Sequence, residues 1–122
     1  MSKSILTIDD SASIRQMVAM TLSAAGHAVI EAVDGADGYN KATTNTIHAV
    51  ITDLNMPVMN GIEFIRKFRQ HPSSKGIPII LLTTESDEEL KRQAKEAGAT
   101  GWIVKPFKQD QLLAVIKKVT GA

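Results

Sequence analysis

Three aspartates stand directly after short apolar runs, at positions where their carboxylates can act together. Asp9 and Asp10 follow the run 5–8, and Asp53 follows the run Ala49–Thr52. If these runs are neighbouring parallel strands, their carboxyl ends meet at one edge of a sheet and bring the three carboxylates close together. Like charges at that distance repel strongly unless a hard divalent cation lies among them. The spacing therefore predicts a Mg²⁺ site, because Mg²⁺ takes carboxylate, backbone and water oxygens and leaves positions for phosphoryl oxygens.

Two further polar residues stand at the ends of later apolar runs. Thr83 ends the run 77–83 and supplies a hydroxyl, and Lys105 follows the run Gly101–Val104 and supplies an ammonium group. In-line phosphoryl transfer onto an aspartate needs a carboxylate nucleophile, a metal, a cation and a hydroxyl, since catalysis there is mostly positioning and charge neutralisation. We therefore predict Asp53 as the phosphoryl acceptor.

Each of these residues has an ordinary structural interpretation when it is taken alone. An acid pair directly before Ser11 is typical of a turn and a helix cap. Asp53 is equally compatible with an ordinary loop position, Thr83 with a strand position and Lys105 with an exposed surface position. Their joint placement at four strand ends favours the chemical interpretation.

The elements that position these residues follow from the hydrophobic pattern. Apolar runs alternate with helix-like stretches, which is typical of a parallel sheet with helical crossovers. The predicted strands are 5–8, Ala28–Ala32, Ala49–Thr52, 77–83 and Gly101–Val104. The first predicted helix lies between Ser11 and Gly26, and a weaker one covers 36–43. The next two begin with capping pairs, Asn60 with Glu63 and Ser86 with Glu89, and the second of them ends at Ala97. The last helix carries the apolar residues Leu112, Val115, Ile116 and Val119. The fold class is therefore α/β, a doubly wound five-stranded parallel sheet with helices on both faces, in one domain over 1–122.

These elements and motifs resemble the receiver domains of two-component response regulators, most closely the single-domain chemotaxis regulators of CheY type. The resemblance covers essentially the whole chain and rests on four motifs: Asp9-Asp10, Asp53 within DLNMPVMNG, Thr83-Thr84 and Lys105-Pro106-Phe107. It implies the strand order 2-1-3-4-5. It also implies a stand-alone switch protein, not an enzyme acting on external substrates, that receives a phosphoryl group from a histidine kinase of chemotaxis type.

The resemblance implies a role for each residue of the metal site. Asp53 is the phosphoryl acceptor, and Mg²⁺ is the cofactor. Asp10, Asp53 and the backbone carbonyl of Asn55 are expected to bind the ion, and Asp9 to act mainly through water. Asn55 is also expected to tune the lifetime of the phosphorylated state.

The resemblance assigns further roles at the ends of the last two strands. Thr83 and Lys105 are expected to bind the phosphoryl oxygens, and the Lys105-Pro106 peptide bond is expected to be cis. Trp102 stands where the family usually carries a Tyr or Phe that acts with Thr83 as a switch, and whether an indole rotates fully inward is left open. Glu85 is a second position expected to tune the lifetime.

The predicted helix from Ser86 to Ala97 is expected to carry the output. Its only large apolar residue is Leu90, so it is predicted to be weakly held and easy to move. Together with the last strand and the last helix it forms the expected partner-binding face. Asp87 and Glu88 stand where motor-binding relatives carry a lysine pair, which argues against the flagellar motor switch as partner, because charge complementarity strongly affects partner choice.

Composition excludes several other classes of protein. The formal net charge is +1 with no charged run, so direct DNA binding is not expected, and the chain has no cysteine for disulfides or thiolate chemistry. The start MSKSILTIDD lacks the apolar core of a secretion signal, and no apolar run is long enough to cross a bilayer. A cytoplasmic monomer without membrane insertion is expected.

Four competing functions are weighed against the receiver. An aspartyl-phosphate phosphatase needs a second Asp where this chain has Asn55, and an amide neither gives nor takes a proton usefully at neutral pH. A flavodoxin-like electron carrier binds phosphate after the first strand, where Asp9 and Asp10 repel it. A phosphorylation-independent binding module has no need of the complete acidic, hydroxyl and lysine set. A phosphate sink or a phosphorelay receiver outside chemotaxis is the alternative that stays open.

Overall fold

The computed structural model describes residues 3–121, in which parallel β-strands alternate with α-helices along the chain. The strands are β1 Ser4–Ile8, β2 Ala28–Ala32, β3 Ala49–Thr52, β4 Ile79–Thr83 and β5 Gly101–Val104. The helices are α1 Ala12–Ala24, α2 Gly35–Thr44, α3 Gly61–Arg69, α4 Glu88–Ala97 and α5 Gln109–Thr120, with a 3₁₀ turn at Pro72–Ser74. In the described part of the chain, no helix is both long enough and apolar enough to cross a membrane.

All strand pairs are parallel, and the strand order is β2-β1-β3-β4-β5. The predicted fold class and the order that the resemblance implied are both confirmed. Because β1 and β3 are neighbours with Ile8 opposite Thr52, the residues that follow them emerge side by side. The carboxyl ends of β1, β3, β4 and β5 form one edge, called here the carboxyl edge.

Side chains of alternate strand residues are buried on both faces of the sheet, which explains why the central strands read as continuous apolar runs. On one face Leu6, Val50 and Leu81 pack in a core with Phe64 and Phe68 of α3. The opposite face contains Ile5, Ile51, Ile80, Leu82 and Ile103 with Val18 and Leu22 of α1 and Leu112 and Ile116 of α5. Fully burying each such side chain contributes about 1.5–3 kcal/mol, so the sheet is a rigid platform for its carboxyl edge.

Helix capping confirms two predicted starts and corrects a third. Ser11 accepts a hydrogen bond from the backbone N–H of Ile14, and Asn60 and Glu63 form a reciprocal capping box. The predicted start of α4 at Ser86 is wrong. Asp87 is the N-cap and accepts from the amides of Glu89 and Leu90, so the helix begins at Glu88. A carboxylate one residue later satisfies two orphan amides at once.

Two strand boundaries and one helix differ slightly from the sequence prediction. β4 begins at Ile79, two residues later than predicted, because the Ile77 amide closes the preceding turn onto the Ser74 carbonyl and Pro78 has no amide hydrogen to donate. β1 begins one residue earlier, at Ser4, and α2 extends one residue further at each end.

Candidate functional site

The turn after β1 fixes Asp9 through every polar group of that residue. Its amide donates to the Ala32 carbonyl, and its carbonyl accepts from Arg15. Its Oδ1 accepts from the Ser11 amide at 2.9 Å, and its Oδ2 lies 3.2 Å from the Lys105 ammonium. The side chain is buried, so these bonds hold a charged carboxylate in one orientation at the carboxyl edge.

Asp53 follows β3 at the adjacent position of the same edge. Its amide donates to the Ile8 carbonyl, which ties the residue to the end of β1. One carboxylate oxygen, Oδ1, accepts from the Leu54 amide at 2.8 Å and lies 3.4 Å from the Lys105 ammonium. The other oxygen, Oδ2, accepts no hydrogen bond from the described residues. One oxygen is therefore anchored while the other is available to a ligand.

Burial raises the pKa of Asp53 above its ordinary value of 3.8, and the neighbouring Asp9 carboxylate raises it further. The Lys105 ammonium and the Leu54 amide lower it, but they do not cancel the rise in pKa. The ionised form of Asp53 is therefore short of positive charge in its surroundings.

The carboxylates of Asp9, Asp10 and Asp53 converge as the sequence predicted, and they are called here the acidic cluster. Each offers one oxygen, and these oxygens all lie within 4.8 Å of one another. Asp9 and Asp53 are buried and Asp10 is exposed, so the cluster opens to solvent on one side. The three side chains offer oxygen ligands, as Mg²⁺ prefers, and among the described residues only the Lys105 ammonium pairs with these carboxylates, one positive charge against three negative ones. The donor set and the charge deficit both fit a hard divalent cation.

Lys105 reaches the acidic cluster from the end of β5. Its amide donates to the Thr83 carbonyl, and the Lys105-Pro106 peptide bond, expected to be cis, is cis. Its side chain is only 12% exposed and its ammonium contacts both buried aspartates. A cation at this position can pair with carboxylates in one state and with an anionic ligand in another.

Thr83, Glu85 and Trp102 form a hydrogen-bonded chain beside the cluster, called here the threonine–indole relay. The fully buried Thr83 hydroxyl oxygen accepts from the Glu85 amide at 3.2 Å. The Glu85 carbonyl in turn accepts from the indole N–H of Trp102 at 2.9 Å. The ring is half-buried and packs against the core on the α3 side of the sheet, with the Lys91 ammonium 6.0 Å from its centre. The indole is therefore bonded to the loop that connects β4 to α4.

The loop between β3 and α3 contains a strained turn. Asn55 is exposed in this loop, and the Met59 amide donates to the Pro57 carbonyl at 2.7 Å across Val58. Val58 has φ of 71°, in the left-handed region that β-branched residues avoid. Gly61 then opens α3 so close to β3 that a Cβ there would lie 2.3 Å from the Asp53 carbonyl oxygen.

Sequence reasoning missed one residue at the site. Arg15, on α1, contacts the Asp9 carbonyl, and its spacing gave no motif to find it by. The three histidines lie away from the site. The ring nitrogens of His27 and His48 accept from the amides of Lys3 and Ser4, and His71 bonds to Ser73, all outside the acidic cluster.

Comparison with known proteins agrees with this arrangement. Residues 5–117 match the response regulator receiver domain family. A chemotaxis protein CheY homolog of Campylobacter jejuni is 37% identical over 119 residues, which are 96% of this chain and 92% of the relative. CheY1 of Helicobacter pylori is 38% identical over 119 residues, 96% of each chain. The solved structure of CheY4 from Vibrio cholerae is 44% identical with a TM-score of 0.94, covering 98% of this chain and 99% of that one.

The family match spans nearly the whole chain, and the similar chemotaxis proteins match it over nearly their whole length. The fold, the acidic cluster and the lysine at the carboxyl edge are all consistent with that family match. The chain belongs to the response regulator receiver domain family and is a receiver of CheY type.

Proposed function

We propose that this chain is a stand-alone response regulator, one receiver domain over 1–122, that accepts a phosphoryl group on Asp53 from a histidine kinase. Residues 1, 2 and 122 of that span lie outside the described residues. The observation that carries the proposal is the meeting of three carboxylate oxygens within 4.8 Å, with the Lys105 ammonium 3.4 Å from Asp53. The resemblance to chemotaxis proteins favours chemotaxis signalling in the cytoplasm.

In the proposed step, a carboxylate oxygen of Asp53 attacks the phosphorus of a phosphohistidine. The new O–P bond makes an acyl phosphate, the P–N bond breaks, and the imidazole nitrogen keeps the electron pair. Oδ2 is the oxygen suited to attack, because Oδ1 is held by the Leu54 amide and by Lys105. Slow attack of water on the same phosphorus breaks this O–P bond, releases inorganic phosphate and returns the carboxylate.

The proposal gives a role to each neighbour of Asp53. Asp10, Asp53 and the Asn55 carbonyl are the groups that would hold Mg²⁺, which when bound neutralises the charge of the phosphoryl oxygens. Asp9 holds Lys105 in place through its Oδ2. The ammonium then pairs with a phosphoryl oxygen, because its flexible stem lets it move from one anion to the next.

The threonine–indole relay is the proposed route from the site to the partner. The Thr83 hydroxyl can donate its own hydrogen to a phosphoryl oxygen while its oxygen still accepts from the Glu85 amide. Movement of Thr83 therefore pulls Glu85, and through its carbonyl it pulls the Trp102 indole. In this proposal the indole serves as the switch aromatic through its N–H, which is bonded to the loop after Thr83, so a small displacement of that loop reaches β5.

The proposed output face consists of α4, β5 and α5. Between α4 and β5 lies a groove of about 280 Å³, lined by Lys91, Ala94, Lys95, Ala99, Thr100, Gly101 and Trp102. The two lysines and the indole favour a partner segment that carries acidic and apolar side chains. The exposed carboxylate of Glu88 lies 3.7 Å from the Lys91 ammonium, so the face also disfavours segments that are acidic throughout.

The test is the intact mass of the protein after incubation with acetyl phosphate, with Mg²⁺ and with EDTA. One added phosphoryl group that requires Mg²⁺ is expected, and the Asp53→Asn variant should gain none. A purified histidine kinase of chemotaxis type supplies a second donor. If neither donor labels the protein when the reaction is quenched within seconds, or if the variant is labelled equally, the proposal is wrong.

A second measurement separates a switch from a phosphate sink. The phosphorylated and unphosphorylated forms are compared for binding to peptides that combine acidic and apolar residues. A switch binds such a peptide more tightly when phosphorylated, and the Trp102 fluorescence changes on binding because the indole lines the groove. Equal binding of both forms favours the sink.

A further inference from the structure

The Asp9 carbonyl follows the last residue of β1 and lies at the point where the chain leaves the sheet. The Asp9 amide still bonds to β2 through the Ala32 carbonyl, but the ladder between the two strands ends there. The carbonyl would lose its hydrogen bond if no side chain reached it. A guanidinium nitrogen of Arg15 donates to this oxygen at 2.6 Å.

Arg15 is itself fixed by a second contact, with a residue of the edge strand β2. Its Nε lies 3.1 Å from the Glu31 carboxylate, and its side chain is 16% exposed. The Glu31 backbone carbonyl accepts from Lys41 of α2, and Lys41 also pairs with Asp37. The guanidinium therefore joins the turn after β1 to an edge strand that α2 already holds.

We propose that Arg15 is a positioning residue for the metal-binding turn Asp9-Asp10, an inference that rests on the proposed function. The peptide plane that carries the Asp9 carbonyl also carries the Asp10 amide, so the bond from Arg15 fixes how the chain enters Asp10. Asp10 is exposed, and no hydrogen bond or ion pair from the described residues orients its carboxylate. Without Arg15 this peptide can rotate and take the Asp10 carboxylate out of the acidic cluster.

The charge of Arg15 and its hold on the turn have opposite effects on Mg²⁺ affinity, so an experiment can separate them. Arg15 brings a positive charge close to the acidic cluster, so its removal by itself strengthens the binding of a dication through simple electrostatics. Loss of the hold on Asp9 instead weakens binding, because a carboxylate that must be ordered by the ion binds it less well. The sign of the change shows which of the two dominates.

The experiment is a titration with Mg²⁺ alone, at constant ionic strength, followed by the amide NMR shifts of Asp10 and Asp53. We expect Arg15→Ala to weaken Mg²⁺ binding about tenfold, the lower end of the range for residues that orient metal ligands. Arg15→Lys keeps the charge, but its single ammonium group replaces the two guanidinium nitrogens that contact the Asp9 carbonyl and the Glu31 carboxylate. This variant is expected to weaken Mg²⁺ binding by a smaller factor. Arg66→Ala removes an exposed arginine of α3 and should leave the affinity unchanged.

Labelling by acetyl phosphate provides a second readout. The Arg15→Ala variant should be labelled slowly at limiting Mg²⁺ and at the wild-type rate at saturating Mg²⁺, a split that a general loss of stability does not produce. Unchanged or tighter Mg²⁺ binding by the folded Arg15→Ala protein overturns the inference. If that variant does not fold, Arg15→Lys carries the test, and unchanged affinity overturns it there. Absence of saturable Mg²⁺ binding in the wild type would refute the proposed metal site itself, before any variant is compared.

Discussion

Replacement of Lys105 by methionine tests the charge balance of the acidic cluster most directly. Methionine is one heavy atom shorter than lysine, keeps an unbranched apolar stem and removes the ammonium group with its charge. In the wild type the ammonium lies 3.2 Å from Asp9 and 3.4 Å from Asp53, and all three side chains are at most 12% exposed. The substitution therefore leaves two nearly buried carboxylates without their shared cation.

The expected loss of stability follows from these distances. At an effective dielectric constant of about 20, each contact is worth about 5 kcal/mol before desolvation is subtracted. Removal of one partner from such a buried pair costs about 3–5 kcal/mol, and the lower end applies because the cluster opens to water. For a domain of this size, about 3 kcal/mol corresponds to a decrease of about 10–15 °C in the melting temperature.

The assay is urea and thermal unfolding at pH 7, in EDTA and in saturating Mg²⁺. The deficit of Lys105→Met should be full in EDTA and should shrink in Mg²⁺, because a dication binds the folded form and supplies the missing charge. It should also shrink as the pH falls, since the pKa of Asp53 is raised and protonation of its carboxylate removes part of the repulsion. The exposed neighbour provides a control, Lys108→Met, with no expected change. A variant as stable as the wild type in EDTA, or equally destabilised with and without Mg²⁺, would refute the reasoning.

Four further outcomes are expected. The pKa of Asp53 is raised in the folded state, so its ionisation lowers the free energy of unfolding as the pH rises above 3.8. In urea unfolding, Asp53→Asn should therefore be more stable than the wild type at pH 7 and equally stable well below pH 3.8. Trp102→Phe should cost about 1 kcal/mol and speed hydrogen exchange in the loop after Thr83, whereas unchanged exchange would contradict the relay. Val58→Asn should stabilise the protein by about 1 kcal/mol in the same unfolding assay, since Asn tolerates positive φ. Glu85→Ala should change the rate of dephosphorylation more than that of phosphorylation, as followed by intact mass, and equal effects would count against its assigned role.

The sequence was sufficient for the fold and for the composition of the acidic cluster. Strands buried on both faces are recognisable as apolar runs without alternation, and residues that follow such strands must meet at the carboxyl edge. Caps were predictable to within one residue. The start of α4 was misplaced because Ser86 and Asp87 are both good caps, and only the backbone geometry decides which side chain reaches the first free amides.

The contacts within the site were not predictable in the same way. Lys105 was expected at this edge as a ligand for phosphoryl oxygens, but its pairing with Asp9 joins residues 96 positions apart in the chain. Arg15 had no signal at all, since a single arginine in an amphipathic helix is ordinarily a solvated residue. Such contacts depend on whether a side chain can span the distance between two packed elements. Hydrophobic periodicity predicts the elements but not the distance between them.

The three carboxylates of the acidic cluster are chemically the same, and their surroundings make them different. Both oxygens of Asp9 are engaged, by Ser11 and by Lys105, so this residue is poorly placed to attack a phosphorus atom. Asp10 is exposed to water, which stabilises its charge and lowers its reactivity. Asp53 alone combines burial, a raised pKa, one anchored oxygen and one free oxygen. The proposal that Asp53 is the nucleophile therefore rests on its burial and on the allocation of hydrogen-bond donors at the carboxyl edge.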